Sequence, residues 1–184
     1  MNASTTDSPR PPRDARQICR ATAAEAKAIG ELVLRVFTEF VADAYTQQGV
    51  REITDYVRPE AIRRRMAGDF FILTARTDND LVGVIEVKEH RHISLLFVDK
   101  RMHRKGVGRE LVHHAVARCR EENPDLQAVT IQSAPRAVTA YEHLGFRQTG
   151  EQRVENGRVY VPMVLPLSDR DTHNEPPASR TLRP

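Results

Sequence analysis

The chain has no tryptophan, only two cysteines among 184 residues, and aromatic residues amounting to 5%. Cys19 and Cys119 stand far apart, with no CxxC pair and no metal-ligand spacing around them. That excludes a disulfide framework and a structural zinc site, and reads as two reduced, packed thiols in a reducing compartment. The scarcity of aromatics argues against a stacking surface for nucleic acid, and the formal charge is only +3. No apolar run approaches the ~18 residues of a membrane span. The opening Met-Asn-Ala-Ser-Thr-Thr-Asp-Ser-Pro has neither the basic n-region nor the apolar h-region of a signal peptide. The expectation is a cytoplasmic protein with no nucleic-acid and no membrane partner. There is no internal repeat, and no grouping of His, Cys and carboxylates has metal spacing, so no metal is expected.

What is present is one domain's worth of patterned sequence. Residues 1–14 are Ser-, Thr-, Pro- and Arg-rich and read as disordered, as does the polar, Pro-rich tail 168–184. Between them, Arg16 to Ala21 can form a first strand. Thr22-Ala-Ala-Glu25 is a capping box, followed by Ile29, Leu32, Val33, Val36, Phe37 and Phe40 at helical spacing. Shorter helices are expected over 50–57 and over 59–66, the latter with Pro59 in its first turn. Residues 70–76 and 81–88 form a hairpin around Thr77-Asp-Asn-Asp80, and Ile93 to Val98 is a nearly unbroken apolar run suited to a central strand. A helix carrying Val107, Leu111, Val112, Ala115, Val116 and Cys119 follows, then a strand over 126–131. A helix with Val138, Tyr141 and Leu144 and a final hairpin turning at 155–157 complete the set. The order predicts a single mixed α/β layer fold.

The stretch Asp99 to Leu111 joins a strand to a helix through a basic, Gly-rich turn, which is how backbone N–H groups are presented to phosphate. A dinucleotide fingerprint fails here, because Leu111 stands where a third Gly is needed, and the Walker pattern fails as well. What remains is a polar residue, two residues, Gly106, one residue and Gly108, a pattern suited to cradling pyrophosphate. His103, Arg104, Lys105 and Arg109 can add charge, and the helix that starts near Val107 adds its positive dipole end.

Residues 97–112 resemble motif A of the GNAT acyltransferase superfamily, in which Gln or Arg, two residues, Gly, one residue and Gly or Ala follow a central strand. Residues 133–146, with Tyr141, two residues and then Leu144-Gly-Phe146, resemble its motif B. Together they identify residues 15–167 as a GNAT-like domain. The implied fold is an α+β acyl-CoA acyltransferase fold: a largely antiparallel twisted sheet, a splayed central strand pair and helices on both faces. The implied function is transfer of an acetyl group from acetyl-CoA to a primary amine by direct attack in a ternary complex. The alternative is a non-catalytic acyl-CoA-binding module. His103 departs from the family, which has Gln or Arg there.

The resemblance further implies that pantetheine pairs along Leu96, Phe97 and Val98. It places the pyrophosphate on the amides of His103, Arg104, Lys105, Gly106, Val107, Gly108 and Arg109. Pro135 would help hold the strands apart, and Ser133 would be either a polar contact near the thioester or a helix cap. Tyr141 is the candidate acid for the leaving thiolate. Glu86 interrupts an otherwise apolar strand and is the candidate base, its alternatives being a carboxylate on a solvated strand face or in a structural ion pair. Acceptor contacts are expected from Phe37, Phe40, Tyr45, Gln48 and His92, and Arg63 to Arg65 could draw an anionic acceptor. His90, like His92, is either a proton shuttle or a surface residue, and His113 and His114 receive no role. The acceptor is a small-molecule or peptide amine. The family often forms homodimers, and the C-terminal hairpin can pair with a second copy or close the acceptor pocket. Pro162 suggests an edge strand there.

Overall fold

The computed structural model describes residues 16–78, 80–155 and 157–167; the terminal segments expected to be disordered lie outside these. One sheet organises the molecule. Its strands are β1 (Arg16–Arg20), β2 (Phe70–Thr77), β3 (Asp80–Lys88), β4 (His92–Val98), β5 (Ala128–Ser133), β6 (Arg147–Gln148), β7 (Arg153–Glu155) and β8 (Arg158–Pro166). They lie in the order β1-β2-β3-β4-β5-β8-β6, with β7 also paired to β8. Every pair is antiparallel except β4 with β5. The helices are α1 (Ala26–Phe40), α2 (Gln47–Tyr56), α3 (Pro59–Met66), α4 (Val107–Glu122) and α5 (Val138–Glu142).

Each sheet face carries its own core, as the side-chain alternation along the strands requires. On one face Ile29, Leu32 and Val33 of α1 and Ile62 of α3 meet Ile72, Val84 and Leu95. On the other, Val107, Leu111, Ala115 and Cys119 of α4 meet Phe71, Leu73, Ile85 and Ile93, joined by Tyr141 and Phe146. The layers match the predicted fold. The capping box forms: the Glu25 carboxylate accepts from the Thr22 backbone at 2.7 Å and also pairs with Arg76 at 2.6 Å. Helix α2 starts three residues earlier than its apolar pattern indicates, because the Thr46 hydroxyl accepts from Gly49 N at 3.2 Å and caps it.

Three expectations are revised. Cys119 is buried, and burial pushes its thiol up to about 12, but Cys19 is exposed on the outer strand β1 rather than packed. The last strand is interior, not an edge: β8 has β5 on one side and β6 and β7 on the other. Pro162 is tolerated because it falls opposite the break between β6 and β7, where its carbonyl accepts from Thr149 N at 2.9 Å. Strand β4 is not covered along its whole length. Ile93 and Leu95 are buried, whereas Leu96, Phe97 and Val98 are half-exposed and face a cleft.

Candidate active site

The cleft begins where β4 and β5 part. They pair only at His92–Thr130 and Ile93–Ile131. Between Glu86 and Val87 the β3–β4 register slips so that Glu86 faces Leu95 and Val87 faces Ile93, which leaves Ser94 as a bulge on β4. The parting therefore starts at Ser94, ahead of Pro135, which opens a short 3-10 turn after β5. Beyond Ile93, β4 has no ladder partner on its β5 side. A cleft of about 960 Å³ fills that gap, with Leu96, Phe97 and Val98 along one wall.

The β4–α4 turn closes one end of the cleft, and its backbone is shaped for an anion. Arg104 and Gly106 both have left-handed φ, +59° and +84°. This alternation turns successive N–H groups toward one side. Glu110 N is the first amide of α4 to find a turn acceptor, Gly106 O at 3.0 Å, and no backbone carbonyl among the described residues accepts from Gly106, Val107, Gly108 or Arg109. Free amides at a helix N-terminus are an anion site in waiting. Only Gly takes φ of +84° without strain, which explains Gly106. The turn thus offers unpaired backbone amides at the start of α4.

Side chains hold this turn from outside. Arg16 of β1 donates to Lys105 O and pairs with Glu110 at 2.7 Å. Asp99, 4% exposed, accepts from Arg101 N at 2.9 Å, Arg101 Nε at 3.0 Å and Arg35 at 2.9 Å. The Arg101 side-chain bond first, then the Arg101 amide and Arg35, hold its carboxyl down to about 2 against burial. His103 does not reach outward for phosphate. Its Nε2 donates to Val98 O at 2.9 Å and its ring lies 5.2 Å from Phe40, tying the turn back to β4. Arg109 donates to His143 O at 3.3 Å, linking α4 to α5.

Tyr141 lies on the opposite wall, packed edge-on against Phe146 at 5.5 Å. Burial, with a smaller contribution from Tyr45, raises its phenol well above the ordinary value, so it stays protonated. Of the expected cofactor contacts, the structure gathers Leu96 to Val98, His103, Arg104 and Gly106 to Arg109 around one cleft with Tyr141 and Phe40. Lys105 is not among the lining residues, and Ser133 is buried with its hydroxyl donating to Ala134 O at 2.9 Å.

Glu86 sits elsewhere. It is fully buried and its oxygens are occupied: Tyr56 donates at 2.5 Å and Arg65 donates through Nε at 3.0 Å, while Arg65 Nη2, 3.0 Å away, is an ion-pair contact without a hydrogen bond. Arg65 also donates to Tyr56 O at 2.7 Å and lies 3.7 Å over the Tyr56 ring. The Tyr56 hydroxyl, near the bulge residue Ser94, has its pKa raised first by burial and then by Glu86. The ion-pair alternative describes this carboxylate. Arg65 therefore leaves the Arg63–Arg65 cluster, of which Arg63 and Arg64 are exposed. Tyr56 and Ser94 were given no role from sequence. The missed signal is that Arg65 follows the buried Ile62 by three residues and so shares its helix face.

Tyr45 is half-buried, edge-on to the buried Phe37 at 5.2 Å, and Gln48 is exposed. His92 Nδ1 lies 2.8 Å from Thr130 Oγ1. Burial first, then Lys88 and Arg91, push the imidazole's pKa down, so it is neutral near pH 7. His90 stacks on Phe71 at 5.4 Å, and His113 and His114 are exposed on α4. Among the described residues no three His, Cys, Asp or Glu side chains form a metal-binding group, and no helix is long and apolar enough to cross a membrane.

A parted central strand pair, free amides at the start of α4 and a protonated tyrosine thus share one cleft. A family model for the acetyltransferase (GNAT) domain matches residues 41–167, and the chain belongs to that family. Its activity is acetyl transfer from acetyl-CoA to an amine. The chain is similar to peptidyl-lysine N-acetyltransferase YjaB of Salmonella typhimurium, with 27% identity over 128 residues, 69% of this chain and 79% of that protein. Among solved structures it resembles a GCN5-related N-acetyltransferase from Rhodopseudomonas palustris, with a TM-score of 0.72 and 15% identity over 86% of this chain and 100% of that one. It also resembles PaiA N-acetyltransferase of Thermoplasma acidophilum in complex with coenzyme A, with a TM-score of 0.65 and 16% identity over 81% of this chain and 98% of that one. The fold is shared across these sequences.

Proposed function

We propose that residues 15–167 form a cytoplasmic N-acetyltransferase domain that works by direct attack in a ternary complex, with Tyr141 as the acid. The supporting observation is a single cleft that runs from the amide cradle at Gly106–Arg109 to the Tyr141 wall. The cradle holds the pyrophosphate of acetyl-CoA, and the unpaired edge of Leu96 to Val98 takes the pantetheine amides. In the reaction the amine nitrogen bonds to the thioester carbonyl carbon, the C–S bond breaks, the amine loses a proton and the thiolate gains one. Tyr141 is neutral and can give that proton. His92, neutral near pH 7, is able to take the amine's proton. Glu86 is a positioning residue: it fixes Tyr56, whose hydroxyl lies near Ser94 at the strand parting.

The acceptor enters from the side of α2 and the β7–β8 hairpin. Here the hairpin closes on its own chain: Thr46 N donates to Gly157 O at 3.3 Å, and a Cβ on Gly49 would stand 2.5 Å from that oxygen. The test is a screen of amine acceptors with acetyl-CoA, following thiol release. Transfer to at least one amine, slowed about 100-fold in Tyr141→Phe at unchanged CoA affinity, supports the reading. Tight CoA binding with no transfer to any amine favours the binding module.

A further inference from the structure

Arg16, on the outermost strand β1, lies 89 residues in sequence from the turn residue it touches. Its two terminal guanidinium nitrogens take different partners there. Nη1 donates to the Lys105 carbonyl, and Nη2 pairs with the Glu110 carboxylate at 2.7 Å. These partners bracket Gly106, Val107, Gly108 and Arg109, the residues whose amides find no backbone acceptor among the described residues. A Cβ on Gly106 would stand 3.9 Å from Arg16 Nη2 and 3.9 Å from Glu110 Oε1, so the ion pair sits against the turn itself.

The carbonyl contact fixes more than an oxygen. In a trans peptide the C=O of one residue and the N–H of the next point in opposite directions. No described peptide bond is cis. Holding Lys105 O toward β1 therefore aims the Gly106 N–H away from β1. In the sheet, β2 and β3 separate β1 from β4, and the cleft opens on the far side of β4, where β5 parts from it. Gly106 lines that cleft, and Arg16 is not among its lining residues. A glycine at φ of +84° resists rotation of this peptide poorly, so the orientation needs a tether from outside. The carboxylate contact acts on charge. Glu110 lies in the first turn of α4, where the helix dipole favours a carboxylate but the carboxylate repels an incoming anion. Arg16 offsets that charge.

Resting on the reading of this turn as the pyrophosphate cradle, we infer that Arg16 is a positioning residue for acetyl-CoA. From outside the cleft it holds the Gly106 amide toward the pyrophosphate and neutralises Glu110 beside it. Arginine suits the place because a planar fork serves a carbonyl and a carboxylate together, whereas a lysine ammonium is a single point of charge.

The test compares CoA with pantetheine, which carries the thiol arm without the pyrophosphate. CoA is titrated calorimetrically and pantetheine is followed by NMR line broadening, with thermal melts alongside. The proteins are the wild type, Arg16→Ala, Arg16→Lys and Arg16→Ala combined with Glu110→Gln. CoA affinity should fall about 10-fold in Arg16→Ala, the scale of one hydrogen bond to a charged group, while pantetheine affinity stays the same. Arg16→Lys should lose about 3-fold, since one of the two contacts is kept. Adding Glu110→Gln to Arg16→Ala should restore part of the CoA affinity, because the unpaired carboxylate is gone. Unchanged CoA affinity in Arg16→Ala, or an equal loss for pantetheine, overturns the inference and leaves the acetyltransferase reading intact. If Arg16→Ala melts below the titration temperature, Arg16→Lys decides on the same two criteria. A wild type that binds CoA no better than pantetheine overturns the cradle reading as well.

Discussion

On the donor side of β4 the cradle is made of backbone: the left-handed residues Arg104 and Gly106, the free amides of the first turn of α4 and the unpaired edge of Leu96 to Val98. Behind β4 the buried Glu86 cluster is made of side chains carried in from distant elements: Tyr56 comes from α2, Arg65 from α3 and Glu86 from β3. The two regions should break differently. A backbone cradle is sensitive to φ and indifferent to most side chains. A side-chain cluster is sensitive to the loss of one partner in a buried pair.

The largest effect is expected at Glu86. Glu86→Gln leaves the Arg65 guanidinium, 12% exposed, without its carboxylate. Breaking a buried pair in this way costs about 3–5 kcal/mol, read as a melting temperature lower by roughly 10 °C. The double change Glu86→Leu with Arg65→Met should recover much of that loss. A loss under about 1 kcal/mol in the single variant would remove the difference drawn between the two sides. Next is Tyr141→Phe, which should lower kcat about 100-fold and leave the binding of CoA, a backbone matter, unchanged.

Asp99 ranks third. Its folded pKa of about 2 lies below the ordinary 3.8, so the stabilisation it gives is present above 3.8 and is lost as pH falls through about 2. Asp99→Asn should cost about 1 kcal/mol at pH 7 and flatten the acid limb of stability between those two values, as followed by chemical denaturation. The smallest effect is expected at His103. His103→Gln keeps a donor for Val98 O and should hold CoA affinity within about 3-fold, since one exposed hydrogen bond is worth about 1 kcal/mol. A larger loss would mean that the imidazole itself contacts phosphate.

The same division decides what could be read from sequence. The donor side is local in the chain: Gly106, Gly108 and the α4 stripe lie within a few residues, and their spacing alone rules out the dinucleotide and Walker alternatives. The α3 boundaries and the order of the strands were likewise legible, because Pro59 and the alternating apolar runs are local signals. The buried cluster is non-local. That Glu86 is unusual shows in the run Val84-Ile85-Glu86-Val87, but its partners lie 21 and 30 residues away on α3 and α2. Likewise, nothing near Pro162 shows that β8 has strands on both sides, because β5 reaches it from about 30 residues upstream.

The central claim is that the backbone of the β4–α4 turn is the CoA pyrophosphate cradle, and calorimetric titration of CoA into the wild type and Gly106→Val tests it most directly. A β-branched residue forced to φ of +84° strains or refolds the turn at a cost of about 1–2 kcal/mol. The account predicts CoA affinity about 10-fold weaker at an otherwise intact fold. Equal affinity in the two proteins, with the melting temperature also unchanged, would contradict it.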